Sequence, residues 1–218
     1  MKKFLAVLLA LSTVLLLCAC ESKPVEINTA LFKDMERTED EFSGTVDYHP
    51  KGLQAIDYKI MVKGGFKEVK AYAPMAEKFT ATPVIHYEKD ADVPYRFDCV
   101  LRYGYVKGRS HTAFSFDDLI ILTDNHKYSF TDLNETSTLG VITSCTVVSL
   151  GEKGIEMIRD IESSSSVKIR MIHWNGETMD VEVDSSVFDS VVAALNLFEE
   201  AGCTQLNLNK NASKITVE

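Results

Sequence analysis

The hydrophobic period of this chain changes along its length, and that change constrains the fold more than any other feature. From Gly44 apolar residues fall on alternate positions, the repeat of a half-buried strand whose side chains point to opposite faces in turn. Ile56, Tyr58, Ile60 and Val62 alternate with polar or small residues and stop at Gly64-Gly65, a strand followed by a turn. Further strands are predicted near 68–72, 83–87, 95–106, 113–122, 127–131 and 141–150, with Asp124-Asn125 as the turn between two of them.

After Leu150 the spacing becomes helical. Ile155, Ile158 and Ile161 recur every third residue, Ser149 is the expected cap, and the serine run 163–166 reads as a solvated loop. A second helix is predicted over about 186–201, with Phe188, Val191, Val192, Leu195 and Phe198 on one face. Ser186 followed by Asp189 resembles a capping box, and Gly202 fits the C′ position. A short helix from Asn28 or Thr29 to about Arg37 would present Leu31, Phe32 and Met35 on one side, and strands near 205–208 and 215–217 would close the sheet. Many strands followed by helices interleaved with strands imply an α+β fold. The expectation is a predominantly antiparallel sheet, sandwich-like or curled, with a C-terminal β-hairpin and an amphipathic helix. Residues 28–218 form a single domain in this reading, with 135–150 as the place where it would sub-divide.

Side-chain parity fixes the register of the hairpin over 167–183. A two-residue Asn175-Gly176 loop, the usual type I′ choice, would set Arg170 opposite Val181 and Met171 opposite Asp180, mixing apolar and charged residues on both faces. A three-residue loop, Trp174-Asn175-Gly176, pairs Met171 with Met179, Ile169 with Val181 and Val167 with Val183 on the buried side. It also pairs Arg170 with Asp180 and Lys168 with Glu182 on the wet side. Gly176 then takes the left-handed position of a G1 bulge. A five-residue loop keeps the same parity. Trp174, the only tryptophan, is lifted out of the ladder at the tip, either to pack on a neighbouring loop or to serve as a partner contact.

The first twenty residues carry a different kind of signal. Lys2 and Lys3 precede an apolar run from Phe4 to Leu17 broken only by Ser12 and Thr13, and the stretch ends Leu17-Cys18-Ala19-Cys20. The run is shorter than the ~20 apolar residues a spanning helix needs. The pattern resembles the bacterial lipoprotein signal peptide, in which Leu and two smallish residues precede the lipid-bearing cysteine. Cys20 is the matching acceptor, because Cys18 in that role would put bulky Leu17 where a small residue belongs. The resemblance implies removal of residues 1–19, a diacylglyceryl group on Cys20, and a location on the extracytoplasmic face of the cell membrane. It makes the membrane a partner through the lipid on Cys20. Residues 20–27, with one proline and no apolar period, read as a tether.

Removing residues 1–19 takes away two lysines and no acid, leaving 21 Lys and Arg against 32 Asp and Glu, a formal net charge of −11. That field repels phosphate backbones, and no basic stripe interrupts it, so nucleic acid is not an expected partner. About 199 residues suffice for one sizeable core. Besides Cys20 the processed chain holds Cys99, Cys145 and Cys203; the odd count excludes a closed disulfide framework and no pair is spaced C-x-x-C. They read as small buried hydrophobes, with a Cys99–Cys145 bridge open to a protein in an oxidising compartment.

Catalytic signals are sparse. The histidines, His49, His86, His111, His126 and His173, show no zinc-ligand spacing and are expected at strand ends or on solvated faces, so no metal or cofactor is expected. There is no G-x-S-x-G elbow, P-loop or dinucleotide fingerprint. Asp98-Cys99 loosely resembles the start of the Asp-Cys-Ser-Gly motif of NlpC-type cell-wall endopeptidases. The Ser-Gly is missing, His111 follows only twelve residues on, and Phe97, Cys99, Leu101, Tyr103 and Tyr105 alternate with Asp98, Arg102 and Gly104, which buries the thiol in a strand. The adjacent carboxylates Asp117-Asp118 and Glu199-Glu200 point in different directions and read as solvated charges. The expectation is therefore a tethered binding, recognition or envelope structural module with an envelope protein or ligand as partner. The alternative is an envelope hydrolase whose site is assembled from sequence-distant residues.

Overall fold

The computed structural model describes residues 29–62, 65–73, 79–88, 94–103, 105–107, 110–112, 116–131, 133, 135–137, 144–200 and 212–218. In chain order the strands are β1 (Glu36–Asp40), β2 (Thr45–His49), β3 (Gln54–Val62), β4 (Gly65–Ala73), β5 (Thr80–Glu88), β6 (Pro94–Tyr103), β7 (Tyr105–Lys107), β8 (Ser110–Thr112), β9 (Asp118–Leu122), β10 (Lys127–Phe130), β11 (Glu135–Ser137) and β12 (Ser144–Ser149). Helix α1 (Glu152–Ser163) follows, then β13 (Ser166–Ile172), β14 (Thr178–Asp184), helix α2 (Asp189–Glu200) and β15 (Ile215–Val217). Short 3-10 helices occupy Thr29–Asp34 and Ser185–Phe188.

The fold is α+β, built on two antiparallel sheets. A six-stranded sheet runs β1-β2-β5-β6-β12-β11 and a five-stranded one β14-β13-β9-β10-β15, with β3-β4 and β7-β8 as separate hairpins. Both large sheets and both helices feed one apolar core. Ile85, Phe97, Cys99 and Leu101 enter it from the first sheet, and Leu119, Ile121, Val167 and Ile169 from the second. Helix α2 rests on the six-stranded sheet: the Phe198 ring lies 5.5 Å from Phe97, and Ser190 Oγ donates to the Ala81 carbonyl at 3.3 Å. Helix α1 leans on the five-stranded sheet, Lys153 Nζ donating to the Ile215 carbonyl at 3.1 Å. Arg159 of α1 reaches Glu199 of α2 at 2.7 Å. Strand β5 is buried along almost its whole length, residues on both faces included, the pattern of a strand covered on both sides.

The period change is seen where it was read, with local corrections. The Asp124-Asn125 turn joins β9 to β10, with Leu122 opposite Lys127, and β15 covers 215–217. The short N-terminal helix is a 3-10 turn ending at Asp34, and Glu36 and Arg37 belong to β1. Strand β1 has the sequence ERTED; with no apolar residue it has no period to read, and it exists because it pairs residue by residue with β2. Strand β9 begins at Asp118 rather than at 113, since Phe116 and Asp117 precede it outside the ladder. Ser149 does not cap α1. It ends β12, and the cap position belongs to Gly151, without a side-chain hydrogen bond. The second helix starts as the 3-10 turn Ser185–Phe188, and Asp184, not Ser186, accepts the capping bond from the Ser186 amide. Phe188, Val191, Leu195 and Phe198 are buried on its inner face, and Val192 is half-buried. Gly202 and the strand expected near 205–208 lie outside the described residues.

Candidate functional site

Strand pairing alone assembles the densest group of ionisable side chains in the described structure. On the face of the six-stranded sheet opposite Phe97 and Cys99, Asp47 of β2 stands across from His86 of β5. His86 stands across from Arg96 of β6, and Asp98 of β6 across from Ser149 of β12. The register shifts between His86 and Tyr87, and the imidazole reaches both acids. His86 Nδ1 lies 2.7 Å from Asp47 Oδ1 and Nε2 lies 2.9 Å from Asp98 Oδ2. Asp98 also accepts Arg96 Nη2 at 2.6 Å and Ser149 Oγ at 2.7 Å.

Ionised carboxylates only accept hydrogen bonds, so both His86 nitrogens must carry protons and the ring is an imidazolium. The 3.3 Å approach of Arg96 Nη2 to His86 Nε2 is then no hydrogen bond, since both groups donate to the same Asp98 oxygen. Burial alone would push His86 down, but the Asp98 charge and the bonds to Asp47 and Asp98 outweigh it and raise the ring above its ordinary value. Burial alone would push Asp98 up; His86, Arg96 and the Ser149 hydroxyl outweigh it and hold the carboxyl below its ordinary value. Among the described residues the group holds two acids and two cations, with His86 6 % and Asp98 1 % exposed. Every ring nitrogen of His86 is occupied, so the group has no lone pair to act as a base.

A second polar group ties the β9–β10 turn to α1. The Asp160 carboxylate accepts from Thr123 Oγ1, from Asn125 Nδ2 at 2.7 Å, from His126 Nδ1 at 3.1 Å and from the buried Tyr128 hydroxyl at 3.1 Å. Despite its partial burial, these donors keep Asp160 ionised with a lowered pKa. The serine run, expected as a solvated loop, exposes Ser163 and Ser165 but buries Ser164, and it takes part in this tie. Ser163 and Ser164 turn their hydroxyls onto the Asp160 carbonyl at 2.9 and 2.8 Å, ending the helix, and Asp124 receives the Ser165 amide at 2.9 Å.

The histidines expected at strand ends or solvated faces thus divide. His86 is mid-strand and buried; His49 is buried at the end of β2, bonded to Thr38 Oγ1 at 3.1 Å and facing the Pro50 carbonyl at 3.1 Å; the His111 side chain lies outside the described residues. Among the described residues no three His, Cys, Asp or Glu side chains are grouped to hold a metal. Cys99 is buried and free, and burial next to Asp98 pushes its thiol far above the ordinary value, so no thiolate forms there. A Cys99–Cys145 bridge is ruled out by register. Cys99 faces Val148 and Cys145 faces Arg102, so the two backbones stand three rungs apart, ~10 Å along the sheet, beyond disulfide reach. Cys203 and Cys20 lie outside the described residues. Glu199 and Glu200 are exposed as expected, but Asp117 is half-buried and its Oδ2 has no hydrogen-bond partner among the described residues. A depression of about 360 Å³ at the start of α1, lined by Gly151, Glu152, Lys153 and Ser213, brings no acid–base or nucleophilic set together.

The hairpin presents the remaining predicted site residue. Its register is the one parity demanded: Met171 faces Met179, Ile169 Val181, Val167 Val183, Arg170 Asp180 and Lys168 Glu182. His173 donates its amide to the Glu177 carbonyl and accepts from the Gly176 amide, both at 2.8 Å, which leaves the three-residue loop Trp174-Asn175-Gly176. Gly176 has φ +85°, the left-handed region that favours glycine. Asn175 Oδ1 accepts the Glu177 amide at 2.9 Å and stiffens the tip. Trp174 does not pack on a neighbouring loop. It is 79 % exposed, and its ring lies 5.2 Å from that of the adjacent His173. No family model, curated protein or solved structure matches the chain.

Proposed function

We propose that this protein is a bacterial lipoprotein, acylated at Cys20 and held on the extracytoplasmic face of the cell membrane, that works by binding an envelope partner rather than by catalysis. Leu17 and Ala19 in the pattern positions support the anchor. A diacyl group would hold the protein durably, since two chains anchor where one binds only marginally. Among the described residues no helix is long and apolar enough to cross a membrane.

The observation that carries the binding reading is Trp174: the only tryptophan of the chain stands 79 % exposed on a hairpin of fixed register. A rigid, solvent-facing indole costs little entropy to bury and suits a contact residue. The buried His86 and Cys99 groups point the same way, because neither has a reactive form available.

The test is photo-crosslinking of the full-length acylated protein in its own envelope, with p-benzoylphenylalanine at position 174 and, as control, at exposed Glu200. A discrete adduct from position 174 alone supports the reading, and equal or absent labelling at the two positions overturns it. Cys20→Ser should leave an unprocessed or soluble protein. An acylated Cys20→Ser protein, or an N-terminus at Cys18, refutes the anchor.

A further inference from the structure

We propose that the outer edge of β14 is a docking strand for an extended peptide segment that alternates basic and apolar residues, carried by the envelope partner. This rests on the binding-module reading above and names the surface and the chemistry of what it binds.

The hydrogen-bond phase of the hairpin decides which backbone groups point outward. His173 and Glu177 form a hydrogen-bonded pair, and in an antiparallel ladder such pairs alternate with non-bonded ones. Met179, Val181 and Val183 therefore spend their amides and carbonyls on β13, and Thr178, Asp180 and Glu182 turn theirs to the other side. On that side, among the described residues, β14 is the last strand of its sheet. Sheet edges are ordinarily blunted by lysine, proline, a bulge or shortness. This one is seven residues long, pairs without a register shift and has no lysine or proline; its charges, Asp180, Glu182 and Asp184, are all acidic and lie on one face.

Its side chains say what fits. Asp180, Glu182 and Asp184 are exposed on the wet face, while Met179, Val181 and Val183 are only half-buried on the other. A strand added antiparallel places directly opposed residues on the same face. The visitor would therefore set lysine or arginine beside Asp180 and Glu182, sharing Asp180 with Arg170 of β13, which holds it at 2.6 Å, and standing across Glu182 from Lys168, with apolar side chains beside Met179 and Val181 to cover what the sheet leaves half-open. A second copy of this chain would not serve, because β14 against β14 about Val181 sets Asp180 opposite Glu182 twice, and like charges opposed are destabilising. Trp174 stands exposed at the tip of the same hairpin, ready to cover the end of the added strand.

The probe is an acetylated and amidated heptapeptide of alternating lysine and valine, added to the full acylated protein in detergent micelles, with amide hydrogen exchange as readout. Slowed exchange at Thr178, Asp180 and Glu182, with the already protected Met179, Val181 and Val183 unchanged, is the expected result. The glutamate–valine counterpart should leave those amides fast. The double variant Asp180→Lys/Glu182→Lys should bind the lysine peptide at least tenfold more weakly, and Thr178→Pro, which removes an outward amide without touching the β13 ladder, should do the same. Binding without protection at the three edge amides, equal binding of the acidic peptide, or no binding at all overturns the proposal. So does edge protection in the absence of peptide with a dimer in sedimentation. If position 174 still cross-links a partner when the peptide fails, the docking strand is wrong and the binding module stands.

Discussion

Replacing Asp98 by Asn is the sharpest test of the buried charge network. The substitution preserves shape and removes one charge, so His86 loses the first of the interactions that raise it and Arg96 loses the carboxylate it meets at 2.6 Å, while among the described residues Asp47 still faces His86. Breaking a buried ion pair from one side costs about 3–5 kcal/mol. Two features place this case at the low end. Asp47 continues to hold His86 Nδ1 at 2.7 Å, and the Arg96 side chain is 28 % exposed and can rehydrate. The expected loss is therefore about 3 kcal/mol, a large share of the roughly 5–15 kcal/mol that holds a domain folded. At ~2–4 °C per kcal/mol for a chain of this size, the melting temperature should fall by roughly 6–12 °C.

The pH dependence separates this mechanism from simple loss of packing. His86 is raised in the folded state above its ordinary value of 6.5, so its contribution is full below that value and fades as pH rises through the raised one. Asp98 is lowered from 3.8, so its contribution is full above that value and fades as pH falls through the lowered one. The gap between wild type and Asp98→Asn should therefore be widest between the two ordinary values and shrink on either side. Urea denaturation across that range reads it directly. A gap under ~1 kcal/mol, the size of an exposed pair, or one independent of pH, would refute the imidazolium assignment. Asp180→Asn is the control: the Arg170–Asp180 pair is equally short at 2.6 Å but exposed on both sides, and its loss should leave the melting temperature near wild type.

Two further outcomes follow from the hairpin and the Asp160 tie. Gly176→Val should cost about 1–2 kcal/mol in denaturant titration, since the left-handed backbone opposes a β-carbon; nothing lies within 4 Å of the added atom, so Gly176→Asn should recover much of the loss. Asp160→Ala should cost about 2–3 kcal/mol, because the Tyr128 hydroxyl is left buried without its acceptor, and amide exchange should accelerate in the Thr123–Asn125–His126 turn. A slow turn in that variant would mean that the bonds from Thr123 to His126 and from Ser165 to Asp124 hold it without the Asp160 carboxylate.

The hairpin was legible because its two faces differ: apolar and charged residues alternate on both strands, so only one parity satisfies all five pairs. The buried network was not, for the opposite reason. β5 and β6 are covered on both faces, and a strand buried on both sides carries no wet-versus-dry alternation to say where Asp98 points. Alternation did place Cys99 on an interior face, and by the same count Asp98 falls on the other; what it lacked was any statement that the other face is also closed. The visible hint is a titratable residue enclosed by strongly apolar neighbours, as in Val84-Ile85-His86-Tyr87 and Phe97-Asp98-Cys99. Flanking apolar residues alone do not bury a charge, as exposed Lys168 and Glu182 show, but consecutive ones such as Val84-Ile85 and Cys99-Val100-Leu101 cover both faces of a strand, so a histidine and an acid in such runs are candidates for one another. β1 and the serine tie were unreadable on different grounds: ERTED has no apolar residue, and although Ser163 and Ser164 donate locally to the Asp160 carbonyl, Ser164 Oγ and the Ser165 amide meet Asp124 only when the β9–β10 turn, some forty residues upstream, folds back over the end of α1. Long-range partners of short polar side chains leave no local period. That is why the parts of this fold most dependent on hydrogen bonds, and not its apolar skeleton, needed coordinates to be seen.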